Sequence, residues 1–207
     1  SVWESPAETV QAAPSMSDLQ NNIKEHQNQL NNINSQINSL QDEQDLVQEK
    51  IDQLVEELKR QGGKAHGAVA DVTSEEEWKT IVERIVSESG RLDVVVNNAG
   101  FGISGAIEFT KTEDAKRLFD ADFFGMVNVN RAVIPHMRQA GAGRIVNLSS
   151  VAAAAPIPFQ AYYSAAKAAV NSYTMALANE LRPYGVTVCA VQPGDIHTGF
   201  TAAREKT

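Results

Sequence analysis

Residues 91–100 read RLDVVVNNAG. Three valines in succession, with no polar residue between them, describe a strand buried on both faces, and the Asn-Asn-Ala-Gly that follows is turn chemistry. Such strands belong to parallel sheets whose faces are covered by helices, so helix and strand should alternate on either side of this one. They do. Upstream, QGGKAHGAVADV (61–72) supplies a Gly-rich helix stop and then a short apolar strand ending near Asp71. TSEEEWKTIVERIVSESG (73–90) follows, with Ser74 and Glu77 spaced as a capping box. Trp78, Ile81, Val82, Ile85 and Val86 form its apolar face, and Gly90 ends it. Downstream come a helical stretch over about 113–139, a strand in GRIVNLSS (143–150), a helix over 161–183 and a last strand in GVTVCAVQPG (185–194).

Polar or turn residues recur where these strands end: Asp71, Asn97-Asn98, Ser149-Ser150 and Pro193-Gly194. Each can be read singly as turn chemistry. Together they mark the carboxyl edge of a parallel sheet, where ligands of such folds bind.

The front of the chain is of another kind. Residues 1–60 carry 4 Lys+Arg against 11 Asp+Glu, whereas residues 61–207 carry 14 against 15. Most of the net charge of −8 therefore sits in the first part, and it excludes nucleic acid or an anionic membrane surface as the main partner. Steps of four and three from Leu19 pass through Ile23, His26, Leu30, Ile33, Ile37, Leu40, Gln44, Val47, Ile51 and Leu54 to Leu58. Ten of these twelve residues are apolar, and no Pro or Gly lies between Ser15 and Gln61. That period predicts a coiled-coil helix over 17–60, roughly 66 Å long, whose seam another helix must cover. His26 and Gln44 read as register-setting polar residues in the seam. Residues 1–16, with two prolines and no periodicity, read as a disordered tail. The Asn/Gln richness of the helix resembles, in composition and over about residues 7–52, the coiled-coil regions of secreted bacterial cell-wall hydrolases.

Cys189 is the single cysteine, so no internal disulfide forms, and within VTVCAV it reads as a small buried hydrophobe. No stretch reaches the roughly 18 apolar residues that cross a bilayer, and no metal site is assigned.

AYYSAAKAAV (161–170) holds the chemistry. Residues four apart share a helix face, so Lys167 can stand beside the Tyr163 hydroxyl, whereas the corresponding partner of Tyr162 is Ala166. A nearby ammonium favours the tyrosinate, and a tyrosine tuned in this way exchanges protons with a carbonyl or an alcohol near neutral pH.

The order NNAG (97–100), GRIVNLSS (143–150), YYSAAK (162–167) and PGDIHT (193–198), with thirteen residues from Ser150 to Tyr163, resembles the short-chain dehydrogenase/reductase family over about residues 54–207. Among its members, NNAGFGISGAIE and FFGMVNV look most like reductases of steroids, retinoids or other small carbonyl compounds. The resemblance implies a Rossmann-like doubly wound parallel sheet, NAD(P)(H) as cofactor, a small carbonyl/alcohol substrate and a cytoplasmic setting. By position it makes Tyr163 the acid/base and Ser150 the group that hydrogen-bonds the substrate oxygen. Lys167 would hold the nicotinamide ribose and lower the tyrosine pKa. Asn98, Ala99 and Gly100 would line the adenine-ribose side, Asp71 would contact the adenine, and Ile196 and Thr198 would meet the carboxamide.

The sequence departs from the family pattern in three places. Asp122 in DADFFG stands where the family has a catalytic Asn; an ionised carboxylate accepts hydrogen bonds but donates none, and it partly cancels the lysine's effect on Tyr163. No strand followed by a Gly-rich turn precedes the match, so the pyrophosphate-binding loop is missing and the strand at 92–97 should be a bare edge. The sequence also stops soon after PGDIHT. The expected architecture is therefore an incomplete Rossmann-like α/β domain, residues 61–207, joined near residues 52–58 to a coiled-coil helix that promotes self-association. Two functions are expected of it: hydride transfer between NAD(P)(H) and a carbonyl/alcohol pair, or a catalytically silent domain on an oligomerising helix.

Overall fold

The structure, a computed structural model, describes residues 15–194, 196, 205 and 206. The tail expected over 1–16 falls outside these residues up to residue 14. The chain divides into two compact units, residues 1–69 and 70–207.

The first unit is a helix, α1, Met16–Arg60. The heptad run gives it length, and side-chain pairs one turn apart support its exposed flanks, such as Gln48 Nε2 donating to Asp52 Oδ1 at 2.8 Å. Lys59 and Arg60 complement the helix dipole in the last turn. Gly63 N then bonds Leu58 O at 3.0 Å and closes the helix. The strand expected over the following residues does not form; 63–71 carry no strand hydrogen bonds. A strand exists through a neighbour that takes its backbone groups, and no described strand runs beside this segment.

The second unit opens with α2, Glu75–Ser89. Ser74 caps it by accepting from Glu77 N at 3.4 Å, and Gly90 at φ 71° supplies the left-handed stop. The return half of the capping box is displaced: Glu77 Oε2 accepts from Asp71 N, not from Ser74 N. After α2 come β1 (Val94–Asn97), β2 (Ile103–Ser104), α3 (Thr112–Phe119), a π-helical turn (Asp120–Gly125) and α4 (Met126–Ala140). β3 (Gly143–Leu148), α5 (Ala161–Leu181), β4 (Val186–Val191) and β5 (Glu205–Lys206) complete it.

β1, β3 and β4 form a parallel sheet in the order β1-β3-β4, with Val96, Val146 and Cys189 in one row. A short parallel pair joins β2 to β5. Ile145 and Val186 pack from the sheet against Val129, Val133 and Met137 of α4 and Leu177 and Leu181 of α5. This is a Rossmann-like arrangement, helices packed on a parallel sheet, with β1 as an edge among the described strands.

Two burial expectations are corrected. Val94 and Val96 are 54% and 58% exposed, and Cys189 is exposed, not buried. All three lie on the same side of the pleat, since β-strand side chains alternate and the register is parallel. Val186 and Ile145, on the other side, are buried. The described helices therefore cover one face, and an unbroken apolar run cannot disclose from within which face its cover occupies. The folded chain is expected to react with about one equivalent of a thiol reagent without denaturant; protection of Cys189 until unfolding would contradict this placement.

No described helix is long and apolar enough to cross a membrane. Among the described residues no group of His, Cys, Asp and Glu is arranged to hold a metal ion.

Candidate active site

β1 and β3 end side by side, Asn97 opposite Asn147. Their side chains form a polar girder: Asn97 Nδ2 donates to Asn130 Oδ1 and to Asn147 Oδ1, both at 2.8 Å. Asn147 Nδ2 donates to Thr174 Oγ1 at 2.9 Å, and Thr174 Oγ1 donates to Val170 O at 2.7 Å. Asn130 and Asn147 are fully buried, so these bonds hold two strand ends, α4 and α5 in one relative position. Sequence reasoning passed over Asn130, Asn147 and Thr174. Its available signal was Asn130 within a helical, largely apolar stretch, where Asn is unfavourable unless its amide is used.

β3 runs into Ser149 and Ser150. Ser149 Oγ donates to Lys167 O at 3.0 Å and so ties the strand end to α5. Ser150 caps a 3₁₀ turn, Val151–Ala153, by accepting from Ala152 N at 3.1 Å, which leaves its hydroxyl proton out of that bond. Ala152 then packs in one buried cluster with Tyr163 and Ala166 of α5, Ile103 and Leu118. The small residues let the 3₁₀ turn approach the first turns of α5, and this carries Ser150 toward Tyr163.

Tyr163 and Lys167 share a face of α5, with Lys167 Nζ 5.6 Å from the centre of the Tyr163 ring. Tyr163 and Lys167 are both buried. Lys167 Nζ donates to Leu148 O at 3.1 Å and forms an ion pair with Asp122 Oδ2, also at 3.1 Å. Asp122 Oδ1 accepts from Phe101 N at 2.9 Å. Burial pushes the Asp122 carboxyl above its ordinary range, opposed by the Lys167 charge and by the Phe101 amide.

Asp122 sits in the π-helical turn between α3 and α4, and such local widenings are frequent at functional sites. Gly100 explains how the loop after β1 reaches it: a Cβ there would lie 2.9 Å from Asp122 Oδ1, closer than carbon and oxygen pack. Asn98, Ala99 and Gly100 are exposed on that loop, open to a ligand beyond the strand.

The structure thus brings Ser150, Tyr163, Lys167 and Asp122 together beside the Asn98–Gly100 loop. Asp71 stands apart from this group. Its Oδ1 accepts from Thr73 N and Thr73 Oγ1, both at 2.8 Å, and it lines a groove of about 560 Å³ with Thr73, Arg117, Asp120, Ala121 and Phe124. Ile196 is exposed, and Thr198 lies outside the described residues.

A nicotinamide cofactor fits one end of this arrangement. Lys167 has three N–H bonds, one of them given to Leu148 O, and the Gly100 backbone is bare. At the pyrophosphate end, no described strand passes through a Gly-rich turn into a helix N-terminus, so the donors of that site are not among the described residues.

Residues 42–207 match the family model of the short chain dehydrogenases. The chain is 48% identical over 142 residues to a 3-ketodihydrosphingosine reductase of Bacteroides thetaiotaomicron, covering 69% of this chain and 53% of that protein. An NAD+-bound xylitol dehydrogenase superposes with a TM-score of 0.72 at 32% identity, covering 74% of this chain and 60% of that one. A gluconate 5-dehydrogenase of Burkholderia cenocepacia, solved with NADP and tartrate, also gives 0.72, at 29% identity and 75% and 61% coverage. The chain spans little more than half the length of the reductase and about three fifths of each of these structures.

Proposed function

The chain belongs to the short-chain dehydrogenase family, and from that premise we propose that it is an NAD(P)(H)-dependent oxidoreductase of small carbonyl/alcohol pairs. The observation that carries this reading is Tyr163 and Lys167 on one buried helix face, packed against the turn that Ser150 caps. Reduction of a carbonyl needs a hydride at carbon and a proton at oxygen. The cofactor, when bound, supplies the hydride. Tyr163 Oη gives the proton, and the Ser150 hydroxyl donates to the same oxygen and holds it in place. The charge on Lys167 favours the tyrosinate left behind, and an N–H not given to Leu148 O is suited to a ribose hydroxyl. Asp122 holds that ammonium in place while diluting its field at Tyr163. Asn98, Ala99 and Gly100 offer backbone beside the ribose. Asp71, and Ile196 with Thr198, are assigned the adenine and carboxamide ends. A cytoplasmic setting and a helix-paired assembly through α1 accompany this reading.

The charge-paired Lys167, with no Gly-rich phosphate turn among the described residues, favours a second reading: a silent domain carried on a coiled coil. Titration of the full chain with NADH and NADPH separates the two. The first predicts a saturable change in cofactor fluorescence that weakens in Lys167→Ala. No change up to millimolar cofactor would establish the second.

A further inference from the structure

The seam of α1 is bare over most of its length. From Leu19 to Val47 its apolar residues are 44–63% exposed. At Ile51 the chain supplies its own cover: Gly67 returns so close over Ile51 and Val55 that a Cβ there would overlap the Ile51 side chain, whereas Leu54 and Leu58 beyond it are 61% and 50% exposed. The longest unbroken bare stretch therefore runs from Leu19 to Val47, and the seam is bare again at Leu54 and Leu58. Seams of this kind are covered by another helix.

The two polar residues identify that helix and its direction. Steps of three and four place His26 in the d register and Gln44 in the a register. An antiparallel pair sets a-residues against d-residues. One antiparallel alignment, centred on Ser35, sets His26 against Gln44 of a second copy. The same alignment sets Ile33 against Ile37, Leu30 against Leu40 and Ile23 against Val47, and brings Leu19 to the level of Ile51, so every apolar seam residue from Ile23 to Val47 meets an apolar one. Shifting either helix by a heptad opposes both polar residues to Leu or Ile. The amide of Gln44 can donate or accept, so it satisfies His26 in either tautomer.

A parallel, in-register pair would also match like with like, and charge decides against it. Residues 42–57 carry seven acidic side chains and one basic, Lys50, a balance of −6. Residues 19–41 carry Lys24 and Glu25, a balance of zero. A parallel pair lays −6 beside −6 at about 8–10 Å between axes, where physiological salt screens only in part. An antiparallel pair in this alignment lays residues 42–57 beside 13–28, which carry only Asp18, Lys24 and Glu25, a balance of −1, and the helix dipoles also oppose favourably.

We infer that the bare seam binds a second copy of this chain as an antiparallel two-stranded coiled coil, with His26 of each copy facing Gln44 of the other. The inference stands independently of any catalytic reading. The test uses the full chain carrying Cys189→Ser and Asn21→Cys. Asn21 lies between the seam residues Leu19 and Ile23, at the f position of the heptad, and so faces away from the partner helix. Sedimentation equilibrium at micromolar concentration should give twice the 22.4 kDa chain mass. A nitroxide on Asn21→Cys should report a spin–spin separation of about 40 Å, since about twenty-eight residues of helix rise separate the labels in this alignment. A separation under about 30 Å means a parallel pair and overturns the inference, as does a monomeric, trimeric or larger mass. Sedimentation of the chain with Cys189→Ser alone guards against an effect of the label.

Discussion

Lys167→Met is expected to destabilise the α/β unit by about 3–5 kcal/mol at neutral pH, because it strands a buried carboxylate. The Asp122 side chain is fully buried and that of Lys167 nearly so, and the two charges meet at 3.1 Å. Methionine keeps most of the lysine volume, so the cavity contribution is small. What changes is that Asp122 retains only the Phe101 amide as a stabilising partner. The pH dependence separates this cause from lost packing. Burial already raises the Asp122 pKa in the folded state above the ordinary 3.8, and the Lys167 charge is the strongest influence holding that rise in check. Without Lys167 the carboxyl should rise further. A carboxyl raised on folding contributes stability that is fully present below the unfolded pKa and is lost as pH climbs through the folded one. The deficit of Lys167→Met should therefore be greatest at neutral pH and shrink as acid protonates Asp122. Urea unfolding of both chains across that range measures it. A deficit below about 1 kcal/mol, or one that ignores pH, would show that the pair carries no such energy.

The same pair shows what the sequence could and could not disclose. Tyr163 and Lys167 were legible because a helix enforces their spacing locally, and Ser150 because it follows a strand and stands thirteen residues before Tyr163, as the family resemblance requires. The three strands of the main sheet and the helices between them were legible for the same reason, that period and caps are short-range properties. Contacts decided elsewhere were not. Asp122 could be recognised as an oddity, but its direct pairing with Lys167 depends on a π-helical turn that has no sequence period. The girder of Asn97, Asn130 and Asn147 depends on the strand register and on the packing of α4 against the strand ends, which join residues 50 and 33 positions apart. Val94, Val96 and Cys189 were misjudged because apolarity reports that a face can be covered, while the cover itself is supplied by other elements. The segment 63–71 was misjudged for the complementary reason: strand propensity becomes a strand only beside a strand.

Tyr163→Phe is expected to reduce carbonyl reduction by about 10²–10⁴-fold while leaving the fold and cofactor affinity nearly unchanged. Its ring packs with Ile103, Leu118, Ala152 and Ala166, contacts that phenylalanine preserves, so the loss reports the hydroxyl alone. Tyr162→Phe is the internal control. Tyr162 precedes Tyr163 by one residue, about 100° around α5, and its partner four residues on is Ala166, so no ammonium supports its hydroxyl. That variant should retain activity within about threefold. The assay follows cofactor oxidation against a panel of small ketones, with kcat and KM taken separately. A proton donor acts on the transition state, so its removal should appear in kcat with little change in KM. Equal losses in the two variants would place the proton elsewhere. A loss confined to KM would make Tyr163 a binding group, and the Lys167 charge would then serve the fold through Asp122 more than the chemistry through Tyr163.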